Sequence, residues 1–269
     1  MTRISLFIIY LFLQVGFLQN VMAQNKPAGK NTAGTLRILC YNIHHANPPS
    51  KPDLIDLDAI ARVINDARPD VVALQEVETG VNRSGGADEA KILAEKTGLN
   101  YHFFKAIDHD GGDYGIAILS RYKIKDATLV PLPQEITAEK RVLGYATLKV
   151  GKQEFIFANT HLDATRTHEN RIVQMKAILK EFENAKLPVI LCGDLNSVAG
   201  TEVINLLDQQ FKRSCVENCP GTIPVINPQR TIDFIATKNL KWPLLEYKVI
   251  DETYASDHRP VAASFKISE

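Results

Sequence analysis

Leu187-Pro188-Val189-Ile190-Leu191-Cys192-Gly193-Asp194-Leu195-Asn196-Ser197 is the stretch from which the rest of the chain can be read. Its first half is an apolar run of strand length and its second half is rich in Gly and Asx, so it reads as a buried strand ending in a sharp turn. Gly193 is expected to let the chain bend there. Asp194 and Asn196 stand two residues apart, and in extended backbone that spacing points them the same way. A carboxylate and a carboxamide at a strand end can activate a water and hold an oxyanion. The same residues also make an ordinary Asx turn ahead of the helix expected over 201–209.

Working outward, apolar runs of strand length recur at 36–43, 71–74, 101–106, 115–121, 232–236, 244–250 and 261–267. The runs 142–150 and 154–159 flank Gly151-Lys152, a hairpin signal. Helical stripes lie at 56–66, where Asp56 is a natural cap, at 87–97, closed by Gly98, and at 165–183. The Asp/Gly segment 108–113 reads as an exposed turn. Strands alternate with helices early and hairpins interleave later, which predicts an α/β layered fold with mixed sheets.

The N-terminus reads as a secretory signal: Arg3, then an apolar stretch, then Val21-Met22-Ala23, with cleavage expected after Ala23. Residues 24–35 are polar with Gly and Pro and suit a flexible linker, leaving 36–269 as the folded domain. The apolar stretch is short for a membrane span, so no transmembrane span is expected after cleavage and the protein is expected to be secreted or periplasmic. The chain carries 31 basic and 31 acidic residues, with an isoelectric point near 7.1. Nucleic-acid binding by charge alone would call for a more basic chain, which counts against a tight DNA binder without excluding a nuclease. Cys40 and Cys192 lie in apolar runs and read as buried thiols. Cys215 and Cys219 sit in a turn-rich stretch, where a local disulfide is one reading and free thiols the other.

A pattern then emerges at the strand ends. Asn42, Glu76, His161, Asp194 with Asn196, Asp233, and Asp257 with His258 each adjoin a hydrophobic run. One such residue means nothing, but so many of metal-binding and acid/base type predict a shared rim. Converged there, they offer oxygen ligands for a hard cation and imidazoles for proton transfer.

In this order, Tyr41-Asn42-Ile43, Gln75-Glu76-Val77, the segment 115–121, Asn159-Thr160-His161-Leu162, Gly193-Asp194-Leu195-Asn196, Ile232-Asp233-Phe234-Ile235 and Ser256-Asp257-His258-Arg259-Pro260 resemble the endonuclease/exonuclease/phosphatase superfamily. Its Asn-Thr-His-Leu form is similar to the deoxyribonuclease and neutral sphingomyelinase branches. The resemblance implies a four-layer sandwich of two packed mixed β-sheets flanked by helices, and a Mg²⁺-dependent hydrolase of phosphoester bonds, with Mn²⁺ as the alternate ion. By position it implies that Glu76 ligates the metal with Asn42 close by and Asp257 assisting. It implies that Asp194 activates the attacking water and Asn196 holds a phosphate oxygen. Asp233 would keep His258 charged, and His161 would serve as general acid. The chain departs from the pattern at Ala46, where family members often carry Gly.

Weaker candidates for substrate contact are His45, with His44 beside it, and Arg121 and Arg141, with Arg83 and Arg171 behind them; an Arg is more often part of a structural ion pair. His109 is expected to be solvent-exposed and Trp242 to pack. The leading expectation is a phosphodiesterase acting on a phospholipid or glycolipid headgroup or a small diester. A secreted nuclease on DNA or RNA is the alternative, and a catalytically inactive binding module on the same fold is the third reading. No stable protein partner is evident, and a monomer is expected.

Overall fold

The computed structural model describes residues 34–268. The expected signal peptide, and all of the expected linker except its last two residues, lie outside the described residues. Twelve strands and four α-helices follow in the order β1 (Thr35–Asn42), α1 (Leu57–Ala67), β2 (Val71–Thr79), α2 (Glu89–Thr97), β3 (Asn100–His109), β4 (Gly112–Ser120), β5 (Lys125–Pro131), β6 (Val142–Val150), β7 (Gln153–His161), α3 (Glu169–Glu181), β8 (Val189–Asp194), α4 (Glu202–Asp208), β9 (Lys212–Arg213), β10 (Asp233–Lys238), β11 (Leu244–Val249) and β12 (Val261–Lys266). Two six-stranded sheets result, ordered β11-β12-β1-β2-β4-β3 and β5-β6-β7-β8-β10-β9.

Alternation along the central strands makes the layers. In β1, Leu36, Ile38 and Cys40 point into the core between the sheets, where they join Phe155 and Phe157 of β7 and Ile190 and Cys192 of β8. Leu39 and Tyr41 point the other way, onto Ile60 and Ile64 of α1 and Leu93 of α2. On the far side, Ala158 and Leu191 meet Met175, Ile178 and Leu179 of α3 and Val203 and Leu207 of α4. The order is therefore helices, sheet, sheet, helices: the four-layer sandwich of two mixed sheets that the resemblance implied. Trp242 packs edge-on to Phe155, with ring centroids 5.7 Å apart, in the central core. Among the described residues, no helix is long and apolar enough to cross a membrane.

Topology fixes where the chemistry lies. Each sheet has one parallel pair, β1 with β2 and β7 with β8. The C-terminal ends of each pair point the same way, and the Asn42–Asp194 hydrogen bond at 3.1 Å brings both pairs of ends to one rim. β10 and β12 run antiparallel to their neighbours and bring their N-terminal ends to it, with Asp233 opposite Asp194 and Val261 opposite Cys40.

Local expectations are met or corrected by identifiable contacts. The Asp56 carboxylate caps α1 by accepting from the Ala59 N–H at 2.8 Å, and Gly98 closes α2 at φ 69°. Gly193 does not bend the chain. It lies inside β8, and a Cβ there would sit 2.3 Å from the Thr160 carbonyl oxygen, so glycine is required for the close approach of β7 to β8. The bend falls at Asn196, which adopts φ 46°. The 108–113 turn contracts to Asp110-Gly111 between β3 and β4, and His109 is half-buried, its ring 5.9 Å from that of Tyr114. Helix α3 starts at Glu169 rather than Thr165, because the Asp163 carboxylate captures the Thr165 N–H at 2.8 Å in an Asx turn. The edge strand β5 carries only weak apolar alternation, and β9 is two residues long, so neither has a readable pattern. Cys215 and Cys219 form a disulfide, and Cys40 and Cys192 are buried free thiols.

Candidate active site

The rim gathers Asn42, Glu76, His161, Asp194, Asp233 and His258 into one network, with Asn196 and Asp257 at its edges. Asn42 ends β1 fully buried. Its carboxamide Nδ2 donates to Glu76 Oε1 at 2.9 Å and to Asp194 Oδ2 at 3.1 Å, so one amide joins the two sheets and holds two carboxylates side by side. Its Oδ1 accepts the His44 N–H at 3.1 Å. Asn42 therefore positions the acidic groups around it.

Glu76 reaches the rim through a backbone irregularity. It is the extra residue in a bulge between β2 and β4, where Gln75 pairs with Ile116 and Val77 with Gly115, and it takes φ 57°. A left-handed carboxylate residue in mid-strand is costly and marks a place where the side chain must be re-aimed. Behind it, Gln75 Nε2 donates to Asn159 Oδ1 at 2.7 Å, and Asn159 Nδ2 reaches the Leu74 and Ala117 carbonyls at 2.8 Å each. These bonds pin the sheets together just beneath the rim.

On the second sheet, Asp194 is the focus. Its Oδ1 accepts the Asn196 N–H at 2.9 Å, while His161 Nε2 lies 3.5 Å and His258 Nε2 3.7 Å from its Oδ2. Burial, reinforced by the charge of Asp233, pushes the Asp194 carboxyl up to about 7. Asn196 is turned away from the direction Asp194 takes, because its left-handed backbone breaks the two-residue alternation; its Nδ2 donates to the Leu162 carbonyl at 3.0 Å.

The two imidazoles are held in opposite states. For His258, burial works against the charge, but Asp233 and Asp194 outweigh it and push the ring up to about 10. His258 Nδ1 donates to Asp233 Oδ2 at 2.9 Å. The other Asp233 oxygen is buried without a partner. His161 is driven well below its ordinary value by burial first, then by the Arg141 and His258 charges, so it is neutral. An Arg141 N–H faces His161 Nδ1 at 3.2 Å; a guanidinium only donates, so Nδ1 accepts and Nε2 carries the hydrogen.

Asp257 is half-buried beside the end of β1. The Ser256 hydroxyl donates to the Asn42 carbonyl at 2.7 Å and lies 3.4 Å from Asp257 Oδ1. The donors suit a hard divalent cation: Glu76 is re-aimed by its backbone, Asp257 stands beside β1, and Asn42 fixes one Glu76 oxygen and leaves the other.

The weaker candidates separate. Arg141 is buried in the site, between Glu139 Oε1 at 2.7 Å and His161. Arg121 is not brought there. Its Nε donates to Asp70 Oδ1 at 2.9 Å at the start of β2, about 17 Å of strand from Glu76. Arg171 donates to the Asp163 and Thr165 carbonyls at 2.9 and 2.7 Å and shapes the loop after His161. Arg83 is tied to Glu78, with Nε 2.6 Å from Oε1. His45 lies near Glu76, and burial followed by the charges of Arg83, His44 and His109 lowers its ring to about 3. Sequence reasoning missed Ser256 as a clamp on β1 and the bulge at Glu76. The first carries no signal in sequence, and the second shows only as an acidic residue inside an apolar run.

Comparison with known proteins bears on the family and the fold. The model of the Endonuclease/Exonuclease/phosphatase family matches residues 39–258. Nocturnin of Rattus norvegicus is 29% identical over 153 residues, which is 51% of this chain and 34% of that protein. The chain thus spans about a third of the length of the curated relatives it matches. An endonuclease/exonuclease/phosphatase from Beutenbergia cavernae superposes with a TM-score of 0.73 at 22% identity, over 87% of this chain and 72% of that one. A mannosyl-6-phosphatase from Bacteroides thetaiotaomicron does so at 0.69 and 18% identity, over 86% of this chain and 99% of that one. At these identities the solved structures share the fold.

Proposed function

The chain belongs to the endonuclease/exonuclease/phosphatase family of phosphoester hydrolases, and from that premise we propose that it is an exported, Mg²⁺-dependent phosphodiesterase acting on a phospholipid or glycolipid headgroup or another small phosphoester. The observation that carries the chemistry is the arrangement around Asp194: a base near neutrality, flanked by a charged and a neutral imidazole, and joined through Asn42 to the metal-type carboxylate Glu76.

Asp194 accepts a proton from water. Its pKa near 7 matches that task, since a base works best when poised near the ambient pH. The Asn42 and Asn196 donors fix both of its oxygens, so the attacking water is aimed as well as activated. His258, kept charged by Asp233, donates to a phosphoryl oxygen as negative charge develops there. His161 carries its hydrogen on Nε2 and is neutral, so in the resting site it is a hydrogen-bond donor rather than a loaded acid. Acting as general acid for a leaving oxygen, it would first take up a proton against Arg141. The second amide hydrogen of Asn196 remains for a phosphate oxygen. Glu76 and Asp257 would hold Mg²⁺, which when bound supplies Lewis acidity on the phosphoryl oxygens.

Balanced charge and the absence of Lys/Arg-rich runs favour a small or headgroup diester over a nucleic-acid track. The Cys215–Cys219 disulfide supports export, because such bonds persist outside the cytosol. The test is a Mg²⁺-dependence assay over plasmid DNA, RNA, sphingomyelin, phosphatidylinositol and bis-p-nitrophenyl phosphate, with Asp194→Ala as control. Lipid or small-diester turnover lost in the variant supports this reading. DNA or RNA cleavage lost in the variant replaces it with a nuclease, and silence on all five with Mg²⁺ bound means a substrate outside the panel or a binding module.

A further inference from the structure

Two histidines beside the rim, His44 and His45, are not used by this chemistry. His44, His45 and Glu76 each present a ligand atom, and the three atoms lie within 4.8 Å of one another. All three residues are half-buried. The two rings have their centroids 4.5 Å apart.

The His44 imidazole is prepared in the way a metal-bound histidine is. His44 Nδ1 lies 2.9 Å from the Asn47 carbonyl oxygen. That oxygen only accepts, so Nδ1 carries the hydrogen and the Nε2 lone pair is left outward. A second nitrogen anchored on a backbone carbonyl is the usual support of a metal-ligating His. Asn47 is itself buried, its carboxamide donating to the Lys51, Pro52 and Leu54 carbonyls at 3.1, 3.0 and 2.7 Å, so the anchor does not move freely. His45 Nδ1 is shielded from solvent and has no partner. Both rings ride on three successive left-handed residues, His44, His45 and Ala46, at φ 48°, 42° and 55°. A left-handed run of non-glycine residues is unfavourable by about 1 kcal/mol or more per residue, and here it turns two consecutive side chains toward one carboxylate. That carboxylate, Glu76, has one oxygen bonded to Asn42 and the other without such a bond.

Two imidazole nitrogens with one carboxylate oxygen are the donor set of a borderline divalent cation, not of Mg²⁺, which prefers oxygen and keeps its waters. We propose that His44, His45 and Glu76 form a second cation site, selective for Zn²⁺ and its neighbours such as Co²⁺, which shares the Glu76 carboxylate with the Mg²⁺ site. The inference rests on the reading above only in taking Glu76 as a metal ligand.

The experiment is a titration of the purified, chelator-treated protein with Zn²⁺ by calorimetry, and with Co²⁺ by visible absorption, in millimolar Mg²⁺. One equivalent of Zn²⁺ that Mg²⁺ does not displace is expected, along with Co²⁺ bands characteristic of nitrogen ligation. His44→Gln and His45→Gln should each weaken Zn²⁺ on the order of tenfold or more, with circular dichroism showing both variants folded. His45→Gln keeps a neutral polar group of similar reach, so it serves if His44→Gln does not fold. Zn²⁺ affinity unchanged in a folded variant overturns the proposal, as does Zn²⁺ that Mg²⁺ displaces or Zn²⁺ that depends on His258 instead. Native protein that binds no Zn²⁺ beyond what Mg²⁺ displaces, while Mg²⁺-dependent hydrolysis is intact, refutes the inference alone. Zn²⁺ bound as described with no hydrolysis of any substrate refutes the reading above and leaves the site standing.

Discussion

Replacing Asp233 with Asn keeps the shape of the side chain and removes the charge that holds the His258 proton. In the native protein the ring is moved from its ordinary 6.5 to about 10. At about 1.4 kcal/mol per pH unit, that is a preference of about 5 kcal/mol for the charged ring. Burial opposes the charge, so the preference comes from the carboxylates. Of these, Asp233 is in direct contact at 2.9 Å, while Asp194 stands at 3.7 Å. An adjacent opposite charge is typically worth one to three pH units, so Asp233→Asn should lower His258 by about two. The assay is an imidazole ¹H–¹⁵N correlation series on the metal-free protein from pH 5 to 10.5. The native ring should stay charged beyond pH 9, and the variant should lose its proton near pH 8. At pH 8 about half the variant rings are still charged, so turnover should fall about twofold there from this cause and about tenfold by pH 9, where the native ring is still mostly charged.

Stability should follow the same proton. A histidine raised in the folded state contributes stability that is fully present below about pH 6.5 and is lost as pH rises through about 10. The native protein should therefore lose melting temperature across that window more steeply than the variant does. If His258 in Asp233→Asn still carries its proton at pH 9, the reasoning is wrong, and Asp194 rather than Asp233 is what charges the ring.

Other outcomes follow from the same contacts. Glu89 is pushed up to about 8, by burial first and then by Glu78, so native stability should fall as pH rises from about 4.5 to 8; Glu89→Gln should remove that slope, gaining about 1 kcal/mol on the native protein per pH unit in urea titrations. Gly193→Ala places a Cβ 2.3 Å from a backbone oxygen and should destabilise the protein by about 1–3 kcal/mol, read as a lower urea midpoint at unchanged slope. His161→Ala should slow esters with poor leaving groups more than aryl esters; equal losses on both would assign this ring to positioning rather than proton transfer. Intact mass should sit about two daltons below the reduced form because Cys215 and Cys219 are joined, and no difference would mean free thiols.

How much of this was legible in the sequence depends on which physical signal each feature leaves. The strands of both sheet centres are short apolar runs because they are buried on both faces, so their existence and their polar ends could be read directly. That is how Asn42, Glu76, His161, Asp194, Asp233 and His258 can be singled out; their meeting at one rim follows from the parallel pairs β1–β2 and β7–β8 together with the Asn42–Asp194 bond between the sheets. Arg121 shows the limit of the same rule: it too follows an apolar strand, but β4 runs antiparallel to β2, so its end faces the opposite rim, and strand direction is not written in the run itself. Backbone conformation is the second blind spot. Glu76, Asn196 and the His44–Ala46 turn all adopt left-handed φ on residues that do not advertise it, where a sequence reader looks for glycine. At position 46 the backbone takes φ 55°, which glycine favours, and this chain has Ala. The strain is then retained by the contacts around it: the Asn47 anchor, the His44 N–H on Asn42, and the packing of Ala46 itself, which is fully buried among Ile43, Ile60 and Val77. A turn held at a cost beside a carboxylate held at a cost has the character of a binding site, and this is what separates His44 and His45 from loop histidines of the same composition.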